Sequence, residues 1–154
     1  MFYKLDFLTE YNQFYLSSDN RSEMNLINSF ILDGYTDRLT NFNNTLIIRT
    51  ETYGHVVGEI NILQQALNFD QSKYDHIVEA GIDINSGLLE VINCPYGDIE
   101  LQIKLIPSTY RVRIYFSNML GYDHDEDKLD DFIKIEIYPE DNKERKVIKR
   151  YLKP

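Results

Sequence analysis

The stretch at 121–131, GYDHDEDKLDD, gathers six carboxylates around a single lysine. Three chemistries suit such a run. Asp123, Asp125 and Asp127 have the alternating oxygen-ligand spacing of a calcium loop. The match stops there, because Lys128 holds the place of the turn glycine and no glutamate stands at the twelfth position. A solvated connection between two strands needs nothing more than polar residues. A surface that recognises a cationic partner needs the same acids left facing water. The contact set of that last reading is Asp123, Asp125, Glu126 and Asp127, with Asp130 and Asp131 beside them.

Other reactive side chains are scattered. His55, His76 and His124 have no close metal spacing among them, and a lone histidine is more often structural than a ligand. Cys94 is the only cysteine, which excludes an internal disulfide and leaves too few thiols for structural zinc. It lies in NCPYGD, a turn marked by Pro95 and Gly97, and would act as a nucleophile only with a histidine in reach. Glycosidase chemistry needs two facing carboxylates, for which Glu79, Asp83, Glu90, Glu100 and Glu136 are the available outward acids. Outward acids are also the ordinary polar face of a sheet. The absence of tryptophan removes the best sugar-stacking platform, though twelve tyrosines partly substitute. Neither GxSxG, GxGxxG nor GxxxxGK[ST] occurs. No catalytic residue, metal ligand or cofactor is assigned.

Charge narrows the partners. Twenty-five acidic against sixteen basic residues give a formal charge of -9 over 154 residues. Such a field repels nucleic acid and anionic lipid within a Debye length of roughly 8 Å and attracts basic protein. Direct nucleic-acid and membrane binding are therefore disfavoured. The basic tail with Lys143, Arg145, Lys146, Lys149, Arg150 and Lys153 either pairs within the molecule or forms a small patch with one aromatic, Tyr151. The opening MFYKLDFLTE lacks the basic, apolar and small-residue succession of a secretory signal, so residence in the cytoplasm is the expectation.

The elements that must position these groups are mostly strands. Period-two alternation places Val78, Ala80, Ile82 and Ile84 on one face. The same pattern aligns Ile99, Leu101, Ile103 and Leu105, then Tyr110, Val112, Ile114 and Phe116, then Ile133, Ile135 and Ile137. The second and third of these runs read as neighbouring half-buried strands, with Arg111, Arg113, Lys134 and Glu136 outward on the third and fourth. Asn85-Ser86-Gly87 is a turn, since glycine accepts the positive φ of a tight hairpin. YNQFYLSS adds an early strand, and NRSEMNLINSFILDG has the apolar spacing and stop signal of one short helix. The tail EDNKERKVIKRYLKP suits either a terminal helix or a last strand. One-sided strands with few helices call for a second sheet. The expected architecture is mainly β: one antiparallel two-sheet β-sandwich domain over 1–154 with one short helix near the N-terminus.

The segments YDHIVEAGIDINSGLLEVINCP and LIPSTYRVRIYFSNM, with YNQFYLSS ahead of them, resemble a bacterial family of small proteins related to competence protein J, the inhibitor of a DNA-entry nuclease. The carrying motifs are the strand from Tyr74 through Glu79, the Ser86-Gly87 turn, Pro107, and the strand from Tyr110 through Arg113. This sequence departs from the pattern at Ser108-Thr109, where the family has glycine, and in lacking tryptophan. The resemblance implies a noncatalytic binder of the immunity or nuclease-inhibitor type, engaging a basic partner such as a nuclease or toxin. Two rivals accompany it: a carbohydrate-active or other hydrolase or lyase using an outward carboxylate pair, and a ligand-binding or subunit module.

Overall fold

The computed structural model describes residues 1–18, 34–42, 44–51, 54–119 and 131–152. Among these residues eleven strands run in the order β1 (Phe2–Leu8), β2 (Gln13–Ser17), β3 (Leu39–Asn41), β4 (Thr45–Arg49), β5 (His55–Ile62), β6 (His76–Ile84), β7 (Leu88–Ile92), β8 (Ile99–Lys104), β9 (Ser108–Ser117), β10 (Phe132–Pro139) and β11 (Lys146–Lys149). They build two sheets, a larger one in the order β1-β5-β10-β9-β6-β11 and a smaller one in the order β3-β4-β2-β7-β8. No α-helix lies among the described residues; a 3-10 turn at Gln71–Lys73 is capped by the Asp70 carboxylate. The helix expected over 20–34 falls almost wholly outside the described residues.

The alternating apolar positions explain the stacking. Val78, Ala80, Ile82 and Ile84 of β6, Tyr110, Val112, Ile114 and Phe116 of β9, and Ile133, Ile135 and Ile137 of β10 line one face of the larger sheet. They join Phe14, Leu16, Leu46, Ile48, Leu89, Val91 and Ile103 of the smaller sheet in a single core. A second, smaller cluster of Tyr15, Ile47, Ile92 and Cys94 occupies the other face of the smaller sheet.

Several expectations are corrected. Pairing is antiparallel except between β5 and β10, which run parallel. β8 and β9 are not neighbours: β8 pairs with β7 in the smaller sheet, and β9 lies between β6 and β10 in the larger. The Asn85-Ser86-Gly87 turn closes no hairpin, because it carries the chain from β6 in one sheet to β7 in the other. Gly87 does adopt φ +77°, and its carbonyl accepts from the Leu105 amide at 2.7 Å. The tail forms strand β11, antiparallel to β6. It reaches that position only because Gly81 is bare: a Cβ there would lie 2.5 Å from the Lys143 Cα.

The outward polar residues of β6, β9 and β10 are not a solvated face. Arg113 is the cross-strand neighbour of both Glu79 and Glu136, and opposite charges so placed attract. Its Nε donates to Glu79 at 2.7 Å, while Arg111 donates to the other Glu79 oxygen at 3.2 Å. Tyr115 donates to Glu136 at 2.5 Å. Two segments of the chain's own backbone cover this network. Phe69 and Tyr74 pack on Tyr115 at ring separations of 5.3 and 4.5 Å, and Arg111 donates to the Asn142 and Glu144 carbonyls at 2.9 and 2.6 Å. Burial pushes the Tyr115 hydroxyl up, and its bond to the Glu136 carboxylate pushes it further. Burial would lower Arg113, but hydrogen bonds to Tyr115 and Glu79 outweigh it and hold the guanidinium above its usual range.

Candidate partner-binding end

Strand register brings many segments to one end of the molecule. In the larger sheet Leu8 pairs with His55, Ile133 with Gly58, Phe132 with Ser117, His76 with Phe116 and Lys149 with Ile77. The connections at 9–12, 50–54, 118–131 and 150–152 therefore all leave from this end. The turn at 34–38 joins them through the Asp37 carbonyl, which accepts from His76 Nε2 at 2.8 Å. In the sequence the acidic stretch falls between β9 and β10. Asp123, Asp125, Glu126, Asp127 and Asp130 lie outside the described residues, as does His124. Asp131, just before β10, is buried at 4% exposure.

The end is tied together by the tail. Asp37 accepts from Arg145 at 2.9 Å and from Arg150 at 2.5 Å. Although desolvation opposes it, these two guanidiniums hold the Asp37 carboxyl below the usual carboxylate range. His76 is fully buried and serves as a two-sided clasp, donating from Nε2 to Asp37 and accepting the Tyr151 amide at Nδ1, 3.0 Å away. Both bonds together require neutral imidazole. Burial pushes its pKa down to about 4.

Beside this clasp opens a cavity of about 570 Å³, lined among others by Tyr11, Tyr35, Arg38, Arg49, Glu51 and Arg150. Arg38 bonds Glu51 at 2.7 Å and lies 5.6 Å over the Tyr151 ring. Arg49 donates to Gln13 at 2.9 Å and to Thr40 at 3.3 Å, with its guanidinium 5.5 Å from the Tyr35 ring centre. Burial pushes the Arg49 guanidinium down from its ordinary value.

Several basic side chains are paired inside the molecule. Glu79 holds both Arg111 and Arg113, and Asp37 holds both Arg145 and Arg150. Thus four arginines converge on two carboxylates. Lys149 donates to the Gln71 and Tyr74 carbonyls at 3.1 and 2.7 Å, so the basic tail is largely directed inward.

The remaining sequence candidates are apart. Cys94 is buried and accepts the Tyr15 hydroxyl at 3.4 Å. His55 contacts the Asp6 carboxylate on the exposed β1–β5 pair. The carboxylates considered for hydrolysis are engaged by neighbours: Glu79 and Glu136 as described, Asp83 by Lys143 and Thr109 at 2.8 Å each, Glu90 by Gln102 at 2.8 Å, and Glu100 by Asn93 at 2.9 Å. Among the described residues no group of three or more His, Cys, Asp or Glu is placed to hold a metal ion. No described helix is long and apolar enough to cross a membrane. Residues missed from sequence are Asp37 and Arg38 of the 34–38 turn and Arg49 at the end of β4, which share no motif; His76 was singled out without its clasp.

Comparison with solved structures decides the fold. ComJ of Bacillus subtilis, an inhibitor of the DNA-degrading activity of NucA, superposes with a TM-score of 0.64 over 90% of this chain and 98% of ComJ, at 9% identity. The chain has a ComJ-like fold. The product of crocagin biosynthetic gene J shares it, with a TM-score of 0.56 over 92% of this chain and 99% of that protein, at 12% identity. No family model matches the sequence, and no curated protein does. The ComJ-like fold agrees with the resemblance carried by the β6 and β9 strand patterns.

Proposed function

We propose that this chain is a noncatalytic protein-binding factor of the inhibitor or immunity type, one β-sandwich domain resident in the cytoplasm that docks its acidic surface on a basic nuclease or toxin. The observation that carries this reading is the charge of -9 combined with the inward pairing of arginines on Glu79 and Asp37. A nuclease keeps a cationic groove for phosphates, and an acidic protein complements it. The ComJ-like fold supports the inhibitor class, since ComJ inhibits a nuclease. The contacts are assigned to Asp123, Asp125, Glu126, Asp127 and Asp130; Asp131, next in the sequence, is set apart from them by its burial at 4% exposure.

The test is affinity capture by the tagged chain of basic proteins from its host, followed by association kinetics with the captured nuclease across a salt series. Replacing the five acids by asparagine or glutamine is expected to slow association about tenfold or more and to flatten its salt dependence. The thermal midpoint should scarcely move. Unchanged kinetics after the replacement would remove the acidic stretch as the contact, and failure to capture any basic protein would remove the partner class.

A further inference from the structure

The cavity beside the tail is a second site of a different kind. It carries positive charge in a strongly acidic chain: among the described residues Arg38, Arg49 and Arg150 line it against one carboxylate, that of Glu51. We propose that this cavity binds a small ligand bearing a phosphate or carboxylate on a flat ring. The proposal is independent of the partner reading, because it uses none of the residues of the acidic stretch.

Three observations carry it. The volume, about 570 Å³, falls in the range of roughly 300 to 1,000 Å³ in which small-molecule sites occur. The cationic wall is held in place before any ligand arrives. Arg38 is fixed between Glu51 and the Tyr151 ring, Arg49 by Gln13, Thr40 and the Tyr35 ring, and Arg150 by the Thr36 carbonyl at 2.8 Å and by Asp37. Preorganised guanidiniums recognise the planar oxygens of carboxylate and phosphate with little further loss of side-chain freedom. Finally, the mouth has aromatic character, since Tyr11 is 65% exposed and Tyr35 is 62% exposed on the same lining. Exposed phenol faces give a flat ring something to stack on.

The floor of the cavity is also built rather than incidental. The Thr50 amide donates to the Asn12 carbonyl at 2.8 Å, and Asn12 in turn donates to the Glu51 carbonyl at 3.3 Å. These bonds lock the β1–β2 connection against the end of β4. Tyr11 and Asn12 hold left-handed φ values of 58° and 54° there.

Isothermal titration calorimetry on the whole chain, with adenosine monophosphate and 4-hydroxybenzoate as probes and adenosine and sodium chloride of matched ionic strength as controls, tests the site. At least one anionic probe should bind with a dissociation constant below a millimolar, and adenosine should bind at least tenfold more weakly. Preference between the two probes distinguishes phosphate from carboxylate. Arg150→Gln and Arg38→Gln should each weaken binding tenfold or more, whereas Lys104→Gln on β8 should leave it unchanged. If Arg38→Gln disturbs folding, Arg150→Gln, whose side chain is 40% exposed, still decides. Heats no greater than those of chloride, or equal weakening by Lys104→Gln, would overturn the proposal.

Discussion

Strand β9 is hydrogen-bonded along both edges, to β6 and β10, whereas β8 stands at the margin of the smaller sheet with β7 as its one partner among the described residues. β9 buries Tyr110, Val112, Ile114 and Phe116 on one face, and Arg111 and Tyr115 on the other. Of β8 only Ile103 is buried, and Ile99 is 37% exposed. Polar residues on these two strands accordingly do different work. On β9 they form ion pairs roofed by the chain itself; on β8 they face water. A charge removed from the first setting strands its partners in the interior, and one removed from the second is replaced by solvent.

The largest break in this contrast is Glu79→Ala. It would leave Arg111 and Arg113, whose side chains are 3% and 12% exposed, without their shared carboxylate. Loss of one member of a buried ion pair costs about 3 to 5 kcal/mol, visible as a lowered urea midpoint. A loss under about 1 kcal/mol would mean that the Asn142 and Glu144 carbonyls already satisfy Arg111, that the Leu67 carbonyl and Tyr138 hydroxyl satisfy Arg113, and that the network contributes little.

Next in size is the effect of acid on the His76 clasp. The folded pKa of about 4 lies below the ordinary 6.5, so between these values the unfolded chain holds more protons than the folded one. Stability must then rise with pH across that window. The contribution is fully present above pH 6.5 and lost as pH falls to about 4, amounting to about 3 kcal/mol at 1.36 kcal/mol per unit. Unfolding midpoints measured from pH 4 to 7 should show this slope, and His76→Gln should flatten it. An equal slope in the variant would assign the acid sensitivity to other groups.

The inward faces were legible in the sequence because alternation reports which side chains share a face, and every second residue of Val78–Ile84, Tyr110–Phe116 and Ile133–Ile137, counted from the first, turns to the core. Alternation is blind to what covers the opposite face. Nothing in the period of β9 distinguishes an arginine in water from Arg111 beneath the tail. Nor does it reveal the order of strands, which is why β8 and β9, adjacent in sequence, belong to different sheets. The cavity was equally hidden, since Arg38, Arg49 and Arg150 come from three segments that only the fold assembles. The tail's choice between helix and strand depended on a contact far away, the open edge of β6 at Gly81.

The smallest expected effect completes the contrast at β8. Gln102 is exposed, and its amide donates to Glu90 on β7 at 2.8 Å. Both groups reach water in the folded and unfolded states, so the bond exchanges one set of partners for another at little net gain. Threonine also suits an edge strand through its β-branched side chain. Gln102→Thr should therefore leave the urea midpoint within about 0.5 kcal/mol of the parent. Hydrogen exchange offers the same comparison without substitution: amides of β9, paired on both sides, should exchange only on global opening, and those of β8 that point away from β7 should exchange far sooner. Equal protection of the two strands would show that the margin at β8 is covered, and that its alternation serves a second buried face.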